Sequence, residues 1–259
     1  MELSDITPMI LTHNEEANLR ATLQGVAWAS RILVVDSFST DRTLEIISEF
    51  PQARVIQRRF DHFANQCNFG LKHINTTWVL SLDADYRCSE TLRHELASLV
   101  PEYAGYEVKF QYGVMGRPLH ATLYPPRTVL YRREAACYER DGHAHRVRIT
   151  GSVGRIRSAI LHDDRKPLSV WLVSQNRYAS LEAEKLLSLS PDQMTWKDRV
   201  RRNILFAPTL TILYCLFGKG LILDGWRGIY YSFQRSYAEL LLSLHLLDRF
   251  LRNRNQTGS

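Results

Sequence analysis

The chain of 259 residues has only four cysteines, Cys67, Cys88, Cys137 and Cys215, scattered widely along it. No two have the spacing of a metal-binding pair, and no disulfide framework can be drawn from them, so stapled secreted modules and thiolate zinc modules are excluded. A bilayer-crossing run of about 20 apolar residues is also missing. Ile204 to Phe217 reaches 14 residues and is interrupted by Pro208, Thr209 and Thr211. The amino terminus has no basic region leading into an apolar core, so no signal peptide is read there and a cytosolic chain is expected. Repeats, low-complexity segments and nucleic-acid-binding motifs are absent as well. Only Arg252 to Ser259 reads as a disordered tail.

What is present is a hydrophobic fraction of 45%, enough for a substantial core in one domain or in a domain with an appendage. The amino-terminal half alternates apolar runs with helical patterns. Ile6 to Thr12 reads as a strand, followed by Asn14 as N-cap of a helix carrying Leu19, Leu23 and Val26, with Glu15 and Glu16 in its first turn. Ile32 to Val35 reads as a second strand ending in Asp36. Ser37 to Asp41 then supply turn and capping chemistry before a helix with Leu44, Ile47 and Phe50. A short strand at Arg54 to Ile56, a helix at Phe63 to Leu71 and a strand at Trp78 to Leu82 follow. This alternation predicts βαβ units on a parallel sheet, an α/β fold. It sets Thr12, Asn14, Asp36, Asp83 and Asp85 at carboxyl ends of strands, where open α/β sheets bind their ligands.

The most informative segment is Trp78-Val79-Leu80-Ser81-Leu82-Asp83-Ala84-Asp85. Residues i and i+2 of an extended chain point the same way, so Asp83 and Asp85 converge beyond the strand end. Two hard oxygen donors there suit Mg²⁺ or Mn²⁺, which keep positions open for phosphate oxygens. Two aspartates after a strand are also a common turn. Their joint placement with Thr12, Asn14 and Asp36 is what favours a site.

Three segments carry a family resemblance: Met9-Ile10-Leu11-Thr12-His13-Asn14-Glu15-Glu16, Val34-Val35-Asp36-Ser37-Phe38-Ser39-Thr40-Asp41-Arg42-Thr43 and Leu80-Ser81-Leu82-Asp83-Ala84-Asp85. They resemble the signatures of family-2 glycosyltransferases, which have the GT-A fold and invert the anomeric centre of a nucleotide-activated sugar. Further segments are similar to the lipopolysaccharide-core β-1,4-glucosyltransferase group: Phe63 to Gly70, Asn176-Arg177-Tyr178, Glu182-Ala183-Glu184 and Leu223 to Gly228. The resemblance implies a GT-A fold, Rossmann-like, with a mostly parallel sheet flanked by helices. It implies a UDP-sugar donor, with Thr12, Asn14, Glu15 and Asp36 around base and ribose. Asp85 would hold the cation, while Asp83 assists or contacts ribose. Gln66 and Asn68 are candidate amide donors to the same nucleotide.

Transfer also needs a base for the acceptor hydroxyl. Tyr138 to Val147 lies where the related enzymes carry a Val-His-Glu-Arg-Val-like stretch, and aligning Arg146-Val147 places His145 where they have glutamate. Asp141 is the first candidate base and His145 the second, its ordinary pKa lying near neutrality. His162, after the strand-like Ser158 to Leu161, is the candidate to complete the metal shell, as a late histidine does in many GT-A enzymes. Arg165-Lys166 either contacts diphosphate or is solvated. A zinc pair at His143 and His145 lacks further ligands at suitable spacing.

The net charge of +6 has a local source. Arg199, Arg201 and Arg202 precede the apolar run, and Arg249, Arg252 and Arg254 follow. Residues 197 to 250 therefore read as helices lying on an anionic membrane surface, the alternative being ordinary core helices. The expected organisation is a GT-A domain over residues 1–165, binding nucleotide sugar and acceptor, and a helical, membrane-associating region over 166–259. The expected activity is metal-dependent transfer of a hexose, glucose by resemblance, from a UDP-sugar to a lipopolysaccharide-type or lipid-linked glycan at the cytoplasmic face of the inner membrane. Competing readings are a polyprenyl-phosphate glycosyltransferase, a nucleotidyltransferase and a membrane-bound scaffold with a degenerate nucleotide site. The nucleotidyltransferase is disfavoured because Thr12-His13-Asn14-Glu15 has no glycine.

Overall fold

The computed structural model describes residues 1–141, 144–202 and 206–257, with side chains at all of these except 140, 141, 144–146, 197 and 253–257. The elements form two units, Met1–Pro118 with Tyr124–Lys166, and Leu119–Leu123 with Pro167–Ser259.

In the first unit the apolar runs become strands β1 (Ile6–Thr12), β2 (Ile32–Asp36), β3 (Ala53–Gln57) and β4 (Trp78–Asp83). They run parallel in the order β3-β2-β1-β4, and their register sets Thr12 beside Asp36 and Leu11 beside Asp83. Helices α1 (Leu19–Gly25), α2 (Thr43–Ser48) and α3 (Phe63–Leu71) connect them in turn. β1 and β2 are buried at every position, as strands covered on both faces must be. Alternate side chains of β1 enter opposite cores. Ile6 and Ile10 pack in the cluster of Leu19 and Leu23, whereas Met9 and Leu11 pack in that of Ala64 and Cys67.

The sheet continues through β5 (Tyr86–Arg87), α4 (Glu90–Ser98), β6 (Gly105–Val114), β7 (Arg117–Pro118) and β8 (Arg127–Arg132). A hairpin of β9 (Ala136–Asp141) and β10 (Ala144–Ile149) forms a separate ribbon before β11 (Val153–His162). β8 is antiparallel to β4, β6 antiparallel to β8, and β11 parallel to β6. Two reversals restore the original direction, so the carboxyl end of β11 emerges at the same sheet edge as that of β4. This mixed sheet flanked by helices is the expected α/β architecture.

The second unit is helical: α5 (Leu168–Ser188), α6 (Trp196–Arg202), α7 (Ala207–Leu213), a π turn at Tyr214–Gly218, a 3-10 turn at Leu221–Asp224 and α8 (Trp226–Thr257). Ala179, Ala183 and Leu186 of α5 pack on Leu242 and Leu246 of α8. No helix of the described residues is long and apolar enough to cross a membrane.

Four local expectations are corrected. Asn14 does not cap α1, which begins at Leu19 after Asn18; Asn14 instead adopts φ +54°, a left-handed geometry that asparagine tolerates better than most residues. α2 buries Ile46 and Ile47 rather than Leu44, which is exposed. Asp85 lies beyond β4 in the turn to β5, so it does not share the strand's alternation with Asp83. Arg201 does not face outward: its guanidinium donates to Glu182 at 2.7 Å and Glu239 at 3.1 Å, two largely buried carboxylates. Of the apolar run starting at Ile204, residues 204 and 205 lie outside the described set.

Candidate active site

The carboxyl ends of β2, β1, β4 and β11 define one edge of the sheet. At its centre the Thr12 hydroxyl is buried with no hydrogen-bond partner. The loops after β1 and β2 lock together beside it. The Asn14 amide N–H donates to Ser39 Oγ at 2.9 Å, and Asn14 Oδ1 accepts from the Thr40 amide at 2.8 Å. Asp36 is fully buried and accepts from Ser39 Oγ at 2.5 Å and Gln57 Nε2 at 2.9 Å. It stands at the expected strand end, and its carboxylate holds the loop after β2.

Across the edge, His162 Nε2 meets Asp85 Oδ2 at 3.0 Å. Burial opposes charge on both, yet each holds the other's: the Asp85 carboxyl stays below the ordinary carboxylate range, and the His162 imidazole sits above its ordinary value. Three tyrosines, Tyr86, Tyr112 and Tyr124, present rings edge-on to His162 at 5.0 to 5.2 Å between centroids. His162 Nδ1 is buried without a hydrogen-bond partner. Asp83, half-buried at the end of β4, extends its negative field over His162, Tyr124 and Arg127. The Arg127 guanidinium stacks over Tyr124 at 4.7 Å. Its burial opposes the charge, and the hydroxyls of Tyr86 and Tyr124 with Asp83 more than offset that.

A second cross-link closes the edge. Lys166 Nζ donates to Glu15 Oε1 at 2.6 Å, and Asn18 Nδ2 bridges Glu15 and Asp164 at 2.9 Å each. Burial, reinforced by Asp85, pushes the Glu15 carboxyl up to about 7 against the pull of Lys166. The ammonium responds the other way. Although burial opposes its charge, Glu15 and Asp164 hold it above the ordinary lysine range. Lys166 thus stays charged while Glu15 exchanges its proton near neutrality.

The remaining expected residues are held by their own partners. Gln66 is buried and bridges Ser37 Oγ at 2.8 Å, the Arg58 carbonyl at 3.1 Å and the Arg58 guanidinium at 2.7 Å. Asn68 pairs with both backbone groups of Tyr138 at 2.9 Å, docking the β9–β10 ribbon on α3. Both amides brace the fold through these partners. The side chains of Asp141 and His145 lie outside the described set, as does His143; their backbones show Asp141 pairing with Ala144 and His145 with Arg140. Sequence reading passed over Asn18, Arg127 and Tyr124. Asn18 carried a signal, its spacing of three from Glu15. Arg127 and Tyr124 carried none, since they lie about 40 residues from Asp85 in chain order.

Comparison with known proteins bears on this edge. Residues 9–159, more than half the chain, match the model of the family described as Glycosyl transferase family 2, and the match includes the polar ends of β1, β2 and β4. The lipopolysaccharide core biosynthesis glycosyltransferase LpsC of Rhizobium meliloti (strain 1021) is 25% identical over 238 residues, 86% of this chain and 83% of that protein. An uncharacterized glycosyltransferase of Rickettsia bellii (strain RML369-C) is 29% identical over 141 residues, 51% of this chain and 48% of its own. Among solved structures, the mannosyltransferase PcManGT from Pyrobaculum calidifontis, in complex with GDP-Man and Mn²⁺, superposes with a TM-score of 0.54 at 13% identity, covering 94% of this chain and 87% of that one. That last likeness shows the GT-A fold. With the sequence motifs, the parallel strand edge and the family match in agreement, the chain belongs to glycosyltransferase family 2.

Proposed function

We propose that this glycosyltransferase moves a hexose, glucose by resemblance, from a UDP-sugar to a lipopolysaccharide-type or lipid-linked glycan, with inversion and with the aid of Mg²⁺ or Mn²⁺. The observation that carries the reading is the meeting of Asp85 with His162, 77 residues apart in sequence, at the edge that also holds Asp83. The donor set fits the ion: carboxylate oxygens with one imidazole suit Mn²⁺, and the carboxylates alone suit Mg²⁺. Among the described residues no three such groups are already gathered as a metal site, so diphosphate and water are expected to supply the other ligands. The bound cation would neutralise charge on the departing nucleoside diphosphate.

The chain's own residues do the rest. Thr12, Asn14 and Glu15 line the nucleotide. Lys166, held across from β1, adds positive charge near the diphosphate. As the acceptor oxygen bonds to the anomeric carbon and the bond to diphosphate breaks, Asp141, or else His145, takes the hydroxyl proton. Residues 1–165, with Lys166, carry this chemistry. Residues 166–259 place it at the cytoplasmic face of the inner membrane, where a lipid-linked acceptor is found. The relative named for lipopolysaccharide core biosynthesis supports that acceptor class.

The test is a nucleotide-release screen with UDP- and GDP-sugars, each with Mn²⁺, with Mg²⁺ and with chelator. Release from a UDP-hexose that chelator abolishes is expected. Metal-independent release, or release from GDP-sugars alone, would overturn the donor and cation assignments.

A further inference from the structure

We infer that α7 and α8 dock the enzyme flat on an anionic lipid surface through a continuous apolar stripe on α8. This deepens the membrane placement proposed above and rests on that reading. α8 has two apolar faces. One is buried in its own unit through Tyr231, Leu242 and Leu246. The other carries Ile229, Phe233, Tyr237, Leu240, Leu244 and Leu251, exposed by 39 to 60%. These six recur at intervals of three, four or seven residues. At 3.6 residues per turn they fall in one narrow sector, about 33 Å long and pointing away from the buried face. No charged residue interrupts the sector. α7 and its π turn add Leu210, Leu213, Tyr214 and Phe217, exposed by 48 to 65%. An exposed apolar stripe of this length marks an interaction site.

Charge identifies the occupant. Residues 1–195 hold 23 Lys and Arg against 23 Asp and Glu, whereas residues 196–259 hold 10 against 4. The whole net charge of +6 therefore resides in the quarter of the chain that presents the stripe. Arg227 and Arg252 directly follow apolar residues at its two ends, and Arg227 stacks on Trp226 at 4.5 Å. The spacing would equally suit a helix–helix seam, but a second copy would bring like charge to like charge. An anionic lipid surface complements both properties, and each basic residue near it adds about fivefold to partitioning. The helix lies in the interface rather than crossing it, since no described helix is apolar enough to span.

The test sediments the full chain with vesicles of phosphatidylcholine alone or mixed with phosphatidylglycerol, at low and high salt and without donor. Binding is expected on the mixed vesicles, weakened by salt. The double variant Leu240→Glu/Leu244→Glu should bind roughly tenfold more weakly or worse, with unchanged thermal melting and an unchanged UDP-induced melting shift. If that pair misfolds, Phe233→Ser/Leu244→Ser makes the same test with a milder change. Failure of the wild type to bind mixed vesicles at low salt overturns the inference. So does equal binding to both vesicle types, or a wild-type dimer that the double variant dissociates. Because vesicle binding is read without donor and the UDP shift without vesicles, failure of this inference is distinguishable from failure of the donor reading.

Discussion

Asp85 is buried against His162, so replacing it removes both a candidate metal ligand and the counter-charge of a buried imidazole. Asp85→Ala should lower sugar transfer by roughly 100-fold or more and cost about 1–3 kcal/mol of stability for the stranded imidazole. Asp85→Asn, which keeps a hydrogen-bonding oxygen, should recover most of the stability and little of the turnover. Nucleotide release and urea melts on both variants separate the two effects. Near-normal turnover by a folded Asp85→Ala protein would sink the assignment. The base is tested apart from the cation. Asp141→Asn should lower turnover by roughly 10²-fold while leaving UDP affinity intact, and His145→Ala should show that pattern instead if the imidazole is the base. At this scale the sequence was partly legible. The places of Thr12 and Asp83 at strand ends are readable from the sequence. The pairing of Asp36 with Ser39 and Gln57 is not readable there, because burial and partners are not written in a local pattern.

Elements are held by close approaches that single substitutions can test. On α8, a Cβ added to Gly228 would overlap the Leu221 carbonyl oxygen, which is backbone and cannot rotate away. Gly228→Ala should therefore destabilise the helical unit by about 3 kcal/mol, read as a lower denaturant midpoint; an unchanged midpoint would mean that the 3-10 turn moves freely. Arg201 is the charged pin of the same unit, and Arg201→Ala would leave Glu182 and Glu239 unpaired, costing about 3–5 kcal/mol. Replacing all three by apolar residues of similar volume should recover most of that loss, and failure to do so would show that the ion triad itself stabilises the packing. The glycine stands in a motif segment of the sequence, whereas the sequence pattern presents Arg201 as a membrane-facing charge. Its partners on α5 and α8 are 19 and 38 residues away, beyond any periodicity argument.

Across the whole molecule, Glu15 links protonation to folding. Its carboxyl titrates near 7 in the fold and at about 4.5 in the unfolded chain. Between those values the fold holds a proton that the unfolded chain has released, so this group's contribution is complete below pH 4.5 and is lost as pH rises through about 7. The loss is on the order of 3 kcal/mol. Lys166 adds no slope there, because its charge is held on well above its ordinary range. Urea unfolding at intervals from pH 5 to pH 8 should show a declining midpoint in the wild type and a flatter one in Glu15→Gln. Parallel curves would place the Glu15 carboxyl in its ordinary range.

The residues alone determined the parallel run of strands, the polar ends of β1, β2 and β4, and the family signatures, because two- and 3.6-residue periodicities and capping chemistry act over a few neighbours. Tertiary structure decided which of those polar ends meet a partner. His162 reaches Asp85 because the sheet reverses direction twice between β4 and β11, and Lys166 reaches Glu15 across 151 residues. It also decided that one apolar face of α8 packs while the other stays exposed, although both read alike as hydrophobic spacing. Burial belongs to the packed whole, and a helical pattern records only that a face is apolar, not what covers it.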